Sequence, residues 1–354
     1  MAPPSSMSVA AALDRLCGRG REERLTHLEV LPPREGVRAA WPAWTDARLV
    51  EAWMACGIEE PWTHQAVAAD AAYHGRHVVI STGTASGKSL AYLAPALTTV
   101  LQKRRRQGQR GAAVLYLSPT KALAQDQLAG LHALDVPDLR ATTHDGDSSR
   151  EQRDWARDHG EYLLTNPDML HRSLLPGHAR WARFLSMLDY VVVDEVHHYR
   201  GVFGAHVAQI LRRLRRVCAL YGSEPTFVLA SATVAEPEVA ARRLTGLPFT
   251  AVTEDGSPRG QVTLALWEPP FTSYGGENGA PVRRAATAEI ADLLTDLVVD
   301  GVRTLAFVRS RRGAETVSLT TKRLLDEVSP GLSARVAAYR GGYLPEDRRA
   351  IEQA

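Results

Sequence analysis

The chain has 354 residues, 45% of them hydrophobic and 23% charged, which is enough for two domains with full cores and ordinary for a globular protein. A net charge of +2 supplies no global field to draw nucleic acid, so any such contact must come from local patches. Cys17, Cys56 and Cys218 are scattered without C-x-x-C spacing, which argues against a zinc site or disulfide framework and fits a reducing, cytoplasmic setting.

The opening Met-Ala-Pro-Pro-Ser-Ser has neither the charged nor the apolar region of a signal peptide, and no apolar run approaches membrane-spanning length. Residues 1–45 are read as an accessory segment; their Arg- and Pro-rich first 40 residues suggest one or two helices. Strand patterns then fall at 77–81, 113–118, 140–143, 161–165, 188–194, 226–230 and 249–252. Helical patterns lie between them, near 89–107, 121–132, 148–158, 168–175, 203–221 and 236–245. This alternation predicts βαβ units over 46–253: an α/β domain whose parallel sheet is covered by helices on both faces. Residues 254–284 are dense in turn signals and read as a linker, interrupted by one strand at 262–267. Helices at 285–299 and 311–328, with strands at 303–308 and 334–338, begin a second α/β domain over 285–354. These roughly 70 residues would fill only half of an ordinary domain, so the chain is expected to be part of something longer.

Two segments carry chemistry. Residues 82–89 are Thr82, Gly83, Thr84, Ala85, Ser86, Gly87, Lys88 and Ser89, placed between a short apolar strand and a helix. Such a small-residue loop cradles phosphate oxygens with backbone N–H groups; Lys88 adds a point charge and the Ser89 hydroxyl suits Mg²⁺. Thr82 stands where the general pattern has Gly. The second segment is the apolar run from Leu188 that ends in Asp194 and Glu195. A parallel strand delivers such acids at its C-terminal edge, where ligands of open α/β sheets sit. Asp194 is expected to hold Mg²⁺ through water, and Glu195 to orient and deprotonate an attacking water. Two acids capping a helix would be the plainer reading without the loop at 82–89.

Further motifs follow in order: Pro-Trp-Thr-His-Gln at 61–65, Ser-Pro-Thr-Lys-Ala-Leu-Ala-Gln-Asp-Gln at 118–127 and Thr-Asn-Pro-Asp-Met-Leu at 165–170. Asp-Glu-Val-His at 194–197, Ser-Ala-Thr at 231–233, Thr-Leu-Ala-Phe-Val-Arg-Ser-Arg-Arg-Gly-Ala-Glu at 304–315 and Tyr-Arg-Gly-Gly-Tyr-Leu-Pro-Glu-Asp-Arg-Arg at 339–349 complete the series. From about residue 60 onward the chain thus resembles the superfamily 2 helicases, with RecA-like domains, ATP and Mg²⁺. The Asp-Gly-Asp at 145–147 and the 339–343 run are similar to DEVH helicases of interstrand-crosslink (mitomycin) repair that carry a C-terminal cysteine-rich domain. The resemblance implies ATP-dependent 3′→5′ translocation on single-stranded or forked DNA. It implies that Gln65 bonds the adenine. It also places the remaining helicase motifs, the finger arginine and the cysteine-rich domain beyond residue 354.

Within that frame His197 is expected to couple the γ-phosphate site to Ser231 or Thr233, against the plainer reading of a satisfied core histidine. Phosphate contacts to a nucleic-acid strand are expected from Thr120, Lys121, Thr165, Asn166 and Arg340. Capping before Pro167 explains Thr165 and Asn166 nearly as well. The basic runs at 103–106 and 212–216 read as a helix C-terminus and a solvated helix face, and Trp41, Trp44, Trp53 and Trp62 as packing residues. Two other functions remain open: an RNA-directed remodeller, separable by DNA against RNA stimulation of hydrolysis, and a nucleotide-gated scaffold, which nucleic acid would not stimulate.

Overall fold

A computed structural model describes residues 8–18, 20–105 and 110–353. The chain divides into two units: one spans Arg34–Arg259, and the other joins the residues before Arg34 to those after Arg259. The second unit opens with α1 (Val9–Cys17) and β1 (Leu25–Leu31). The middle unit then runs α2 (Ala47–Ala55), α3 (Thr63–Tyr73), β2 (Val78–Ser81), α4 (Ser89–Arg105), β3 (Ala113–Leu117), α5 (Lys121–Ala133) and β4 (Ala141–Thr143). It continues with α6 (Arg150–His159), β5 (Tyr162–Thr165), α7 (Pro167–Met169), α8 (Ala182–Ser186), β6 (Leu188–Val193), α9 (Gly201–Leu220), β7 (Thr226–Ser231), α10 (Pro237–Thr245) and β8 (Thr250–Val252). Arg106, the end of one basic run, and the predicted extension of its helix to 107 lie outside the described residues.

The seven strands of the middle unit form one sheet in the order β4-β5-β3-β6-β7-β2-β8, and every pairing is parallel. The expected α/β architecture is therefore present. Because side chains alternate along a strand, Val114 and Tyr116 of β3 enter one core, while Ala113, Leu115 and Leu117 enter the other. The first core takes Tyr92, Leu97 and Leu101 from α4, and the second takes Val207, Leu211 and Leu214 from α9. A sheet buried on both faces explains why its strands read as unbroken apolar runs. Trp41 stacks on Trp53 at 5.1 Å and Trp44 on Tyr73 at 4.2 Å, so these rings pack the first core.

Register decides which residues share an edge. Ser81 lies opposite Ser231, and Leu117 lies opposite both Val193 and Thr165. The loops that follow β2, β3, β5, β6 and β7 therefore leave the sheet side by side.

In the other unit β1 pairs antiparallel with β9 (Val262–Trp267), with Leu28 opposite Ala265. A hairpin of β10 (Phe271–Gly275) and β11 (Pro281–Arg283) precedes α11 (Ala286–Val299), α12 (Arg311–Val328) and α13 (Pro345–Gln353). Three expectations differ from this. The first 40 residues hold a strand as well as a helix, because β1 supplies the ladder that β9 needs. Residues up to Arg259 of the expected linker belong to the middle unit. Segments 303–308 and 336–338 lie in no ladder among the described residues, Leu332–Arg335 forms a short 3₁₀ helix across the start of the strand expected at 334–338, and Leu305 and Phe307 stay 84% and 87% exposed. Apolar alternation marks a strand, but a ladder also needs a neighbour to accept its backbone bonds.

Candidate nucleotide site

The loop between β2 and α4 is tightly wound. Gly87 has a φ of +73°, and a Cβ there would meet Gln65 Nε2 at 2.5 Å; Ala85 takes a φ of +58° without being glycine. Thr82, at the position where Gly is usual, shares a 2.7 Å hydrogen bond with the Ser86 hydroxyl, and both residues are buried. Thr84 is exposed. The Lys88 ammonium donates to Gly83 O at 2.7 Å and Thr82 O at 3.3 Å, so it closes the loop on itself. Burial lowers the Lys88 pKa, while Glu195, Asp194 and Asp255 act to keep it charged. The amine and the acid pair thus lie within electrostatic reach of one another.

Asp194 and Glu195 leave the end of β6. Asp194 Oδ2 accepts from the Tyr116 hydroxyl at 2.8 Å, and Oδ1 from the Glu195 amide at 2.8 Å. The Tyr92 hydroxyl stands 3.2 Å from Asp194 Oδ2 and 3.1 Å from Ser89 Oγ, with Gln127 Oε1 also at 3.2 Å. Both tyrosines are fully buried. Burial, then nearby charge, raises their pKa values, so they stay neutral donors. Ser89 and Asp194, the two expected Mg²⁺ ligands, are therefore tied to one phenol. Their hydroxyl and carboxylate oxygens are the hard donors that Mg²⁺ prefers.

Glu195 adopts left-handed backbone, φ +52°, which turns its side chain back toward the following one-turn helix Val196–His198. Its Oε2 lies 3.2 Å from His197 Nδ1. The same nitrogen accepts from the Ala232 amide at 3.4 Å. His197 thus reaches the Ser-Ala-Thr segment through that segment's backbone: among the described residues Ser231 Oγ is buried without a partner, and Thr233 is exposed.

Gln65, the expected adenine contact, is bonded within the protein. Its Oε1 accepts from Trp62 N at 2.7 Å, and its Nε2 donates to Ser86 O at 3.2 Å and Gly87 O at 2.8 Å. The amide braces the phosphate loop from beneath, and only 5% of the residue is exposed. The nucleic-acid candidates also have partners. Thr120 and Asn166 cap α5 and α7 through their side chains. Thr165 is 2% exposed and its hydroxyl donates to His144 O. Lys121 pairs with Asp147 at 2.7 Å. Arg340 pairs with Glu315 at 2.6 Å and stacks on Tyr343. In the 212–216 run, Arg212 and Arg215 are not merely solvated: they donate to Arg243 O and Thr245 O and cap the C-terminal carbonyls of α10.

Sequence reasoning missed several supports of the site besides Tyr116. Tyr92 lies three residues after Ser89, on the same helix face, which is the signal that could have found it. Ser81 Oγ donates to Ala232 O and accepts from Val234 N, joining the phosphate-loop strand to the Ser-Ala-Thr segment. His64, 1% exposed, bonds Ser86 O through Nε2 at 3.1 Å and accepts from Gly256 N at Nδ1. Asp255 accepts from Gly83 N at 3.3 Å and pairs with Arg34 at 3.1 Å. Burial opposes its charge, but bonds from Ser257 and Arg34 prevail and hold its pKa at about 2.

Residues 62–241 match the DEAD/DEAH box helicase family. The chain is 39% identical over 334 residues to an uncharacterized ATP-dependent helicase, YprA, of Bacillus subtilis, covering 94% of this chain and 43% of that protein. It is 38% identical over 304 residues to the ATP-dependent helicase HRQ1 of Saccharomyces cerevisiae, covering 83% of this chain and 27% of that one. Among solved structures, it superposes on the DUF1998 helicase MrfA bound to DNA with a TM-score of 0.88 at 36% identity, covering 98% of this chain and 45% of that chain. MrfA bound to DNA and AMPPNP gives a TM-score of 0.86. The chain thus spans less than half the length of each of these relatives.

Proposed function

Since the chain belongs to the DEAD/DEAH box helicase family, we propose that it holds the ATP-binding half of a 3′→5′ DNA helicase that works in DNA repair. The observation that carries the reading is the shared sheet edge on which Lys88, Ser89, Asp194 and Glu195 meet, with Tyr92 joining Ser89 to Asp194. DNA in the MrfA structures and AMPPNP in one of them support the choice of partner and nucleotide. Free Cys17, Cys56 and Cys218 support a cytoplasmic location. No helix among the described residues is long and apolar enough to cross a membrane.

Lys88 would leave the Gly83 and Thr82 carbonyls to meet the β- and γ-phosphates, and the loop amides would turn to their oxygens. Ser89 and Asp194 would hold Mg²⁺, which supplies charge neutralisation to the phosphates when bound. Glu195 would orient the attacking water and take its proton. His197, bonded to the Ala232 amide, would relay the state of Glu195 to the Ser-Ala-Thr segment. Motion of the two units on ATP binding and release would then shift the grip on a strand.

The test compares Lys88→Ala and Glu195→Gln in the full-length protein, with DNA or RNA strands added. Lys88→Ala should lose nucleotide binding. Glu195→Gln should bind ATP as the parent does and turn over at least about 100-fold more slowly, as expected for removal of a general base. Hydrolysis by Glu195→Gln at the parent rate rejects the base assignment, and stimulation by RNA alone rejects DNA as the partner.

A further inference from the structure

Glu195, His197 and His198 place one ligand atom each within 4.8 Å of one another, the sole such group of three His, Cys, Asp or Glu among the described residues. The geometry is close to a chelate already. Tetrahedral zinc with bonds of about 2.0–2.1 Å separates its ligand atoms by about 3.3 Å. Glu195 Oε2 and His197 Nδ1 stand 3.2 Å apart. The third ligand is free to close: His198 is exposed, and its ring centroid lies 4.5 Å from that of His197. Left-handed backbone at Glu195 and the short helix behind it, with His198 N bonded to Glu195 O at 2.9 Å, hold the three residues in one turn.

We propose that Glu195, His197 and His198 form a regulatory site for a borderline-soft divalent metal, zinc by preference, distinct from the Mg²⁺ ligands Ser89 and Asp194. Two imidazoles and one carboxylate select Zn²⁺, Co²⁺ or Ni²⁺ over Mg²⁺, which favours oxygen donors. Binding would use the lone pair of His197 Nδ1 that now accepts from the Ala232 amide. It would therefore sever the link to the Ser-Ala-Thr segment and immobilise the Glu195 carboxylate at once. Metal binding would thereby silence ATP hydrolysis, a consequence that rests on the reading of Glu195 as base; the binding itself does not.

The test titrates Co²⁺ into the nucleotide-free protein and follows visible absorption, then measures Zn²⁺ affinity by calorimetry. The parent should bind one equivalent with tetrahedral Co²⁺ bands. His198→Ala, at an exposed position, should keep the parent thermal unfolding and nucleotide affinity while binding Zn²⁺ at least about tenfold more weakly. Zinc bound equally by parent and His198→Ala, or no stoichiometric uptake by the parent, overturns the site. Zinc that binds the parent as expected yet leaves ATP hydrolysis unimpaired counts against Glu195 as the base and leaves the site standing.

Discussion

Tyr92 illustrates how a single hydroxyl can organise a site it never enters. It faces Ser89 Oγ, Gln127 Oε1 and Asp194 Oδ2 from a fully buried position. Tyr92→Phe keeps the ring and removes that partner. A net hydrogen bond contributes about 0.5–1.5 kcal/mol to stability, so the nucleotide-free protein should lose about that much, and Mg²⁺-ATP affinity should fall as Ser89 and Asp194 lose their common partner. Titration with a fluorescent ATP analogue measures this, and an unaltered affinity would show that Ser89 and Asp194 need no common anchor. The residue scale also shows what sequence could reveal. Lys88, Ser89, Asp194 and Glu195 were legible because each lies in a contiguous segment at a strand exit. Tyr92 and Tyr116 were not, because an aromatic residue in an apolar pattern reads as core until the fold brings a carboxylate to its hydroxyl. Asp255 was hidden for another reason: it follows β8 in a turn-rich stretch, and only tertiary folding lays it on Gly83 N.

Elements were legible where local periodicity and tertiary environment agree. The helix expected at 311–328 coincides with α12, and the strand expected at 262–267 coincides with β9. β1 escaped notice because it is mostly exposed, and its partner lies more than 200 residues away in sequence. The join between these elements rests on Glu289 of α11, 2% exposed. It accepts from Arg24 at 2.6 Å, from the Trp267 indole at 2.9 Å and from Arg284 at 2.6 Å. Burial alone would raise its pKa, but these donors prevail and lower it. Glu289→Ala takes the acceptor from the Arg24 guanidinium and the Trp267 indole N–H, while Arg284 keeps Asp292 at 2.6 Å. Its cost should be about 3 kcal/mol, seen as a lower denaturant midpoint for the unit that contains β1 and β9. A change within about 0.5 kcal/mol would mean that water replaces the carboxylate without loss.

For the molecule as a whole, acid sensitivity follows from three imidazoles in the middle unit, His64 and His144 buried and His77 half-buried. Burial lowers the pKa values of His64 and His77, and burial followed by the Arg153 charge takes His144 to about 4. These groups titrate near 6.5 in the unfolded chain, which therefore binds more protons over that range. Stability should be full above pH 6.5 and decline as pH falls toward 4, with His144 alone contributing about 3 kcal/mol to the loss. Urea midpoints at pH 7 and pH 5 measure this, and equal midpoints would refute it. The decline should shrink in His144→Asn.

β7 lies between β2 and β6 in the sheet. The amine-bearing loop and the carboxylates are consequently held two interstrand steps apart, about 9–10 Å, a gauge fixed by peptide geometry and indifferent to side-chain chemistry. Variation in the cores can loosen or stiffen this protein, but it cannot widen that jaw. Any adjustment to a different phosphate tail must be made in the loops that overhang it.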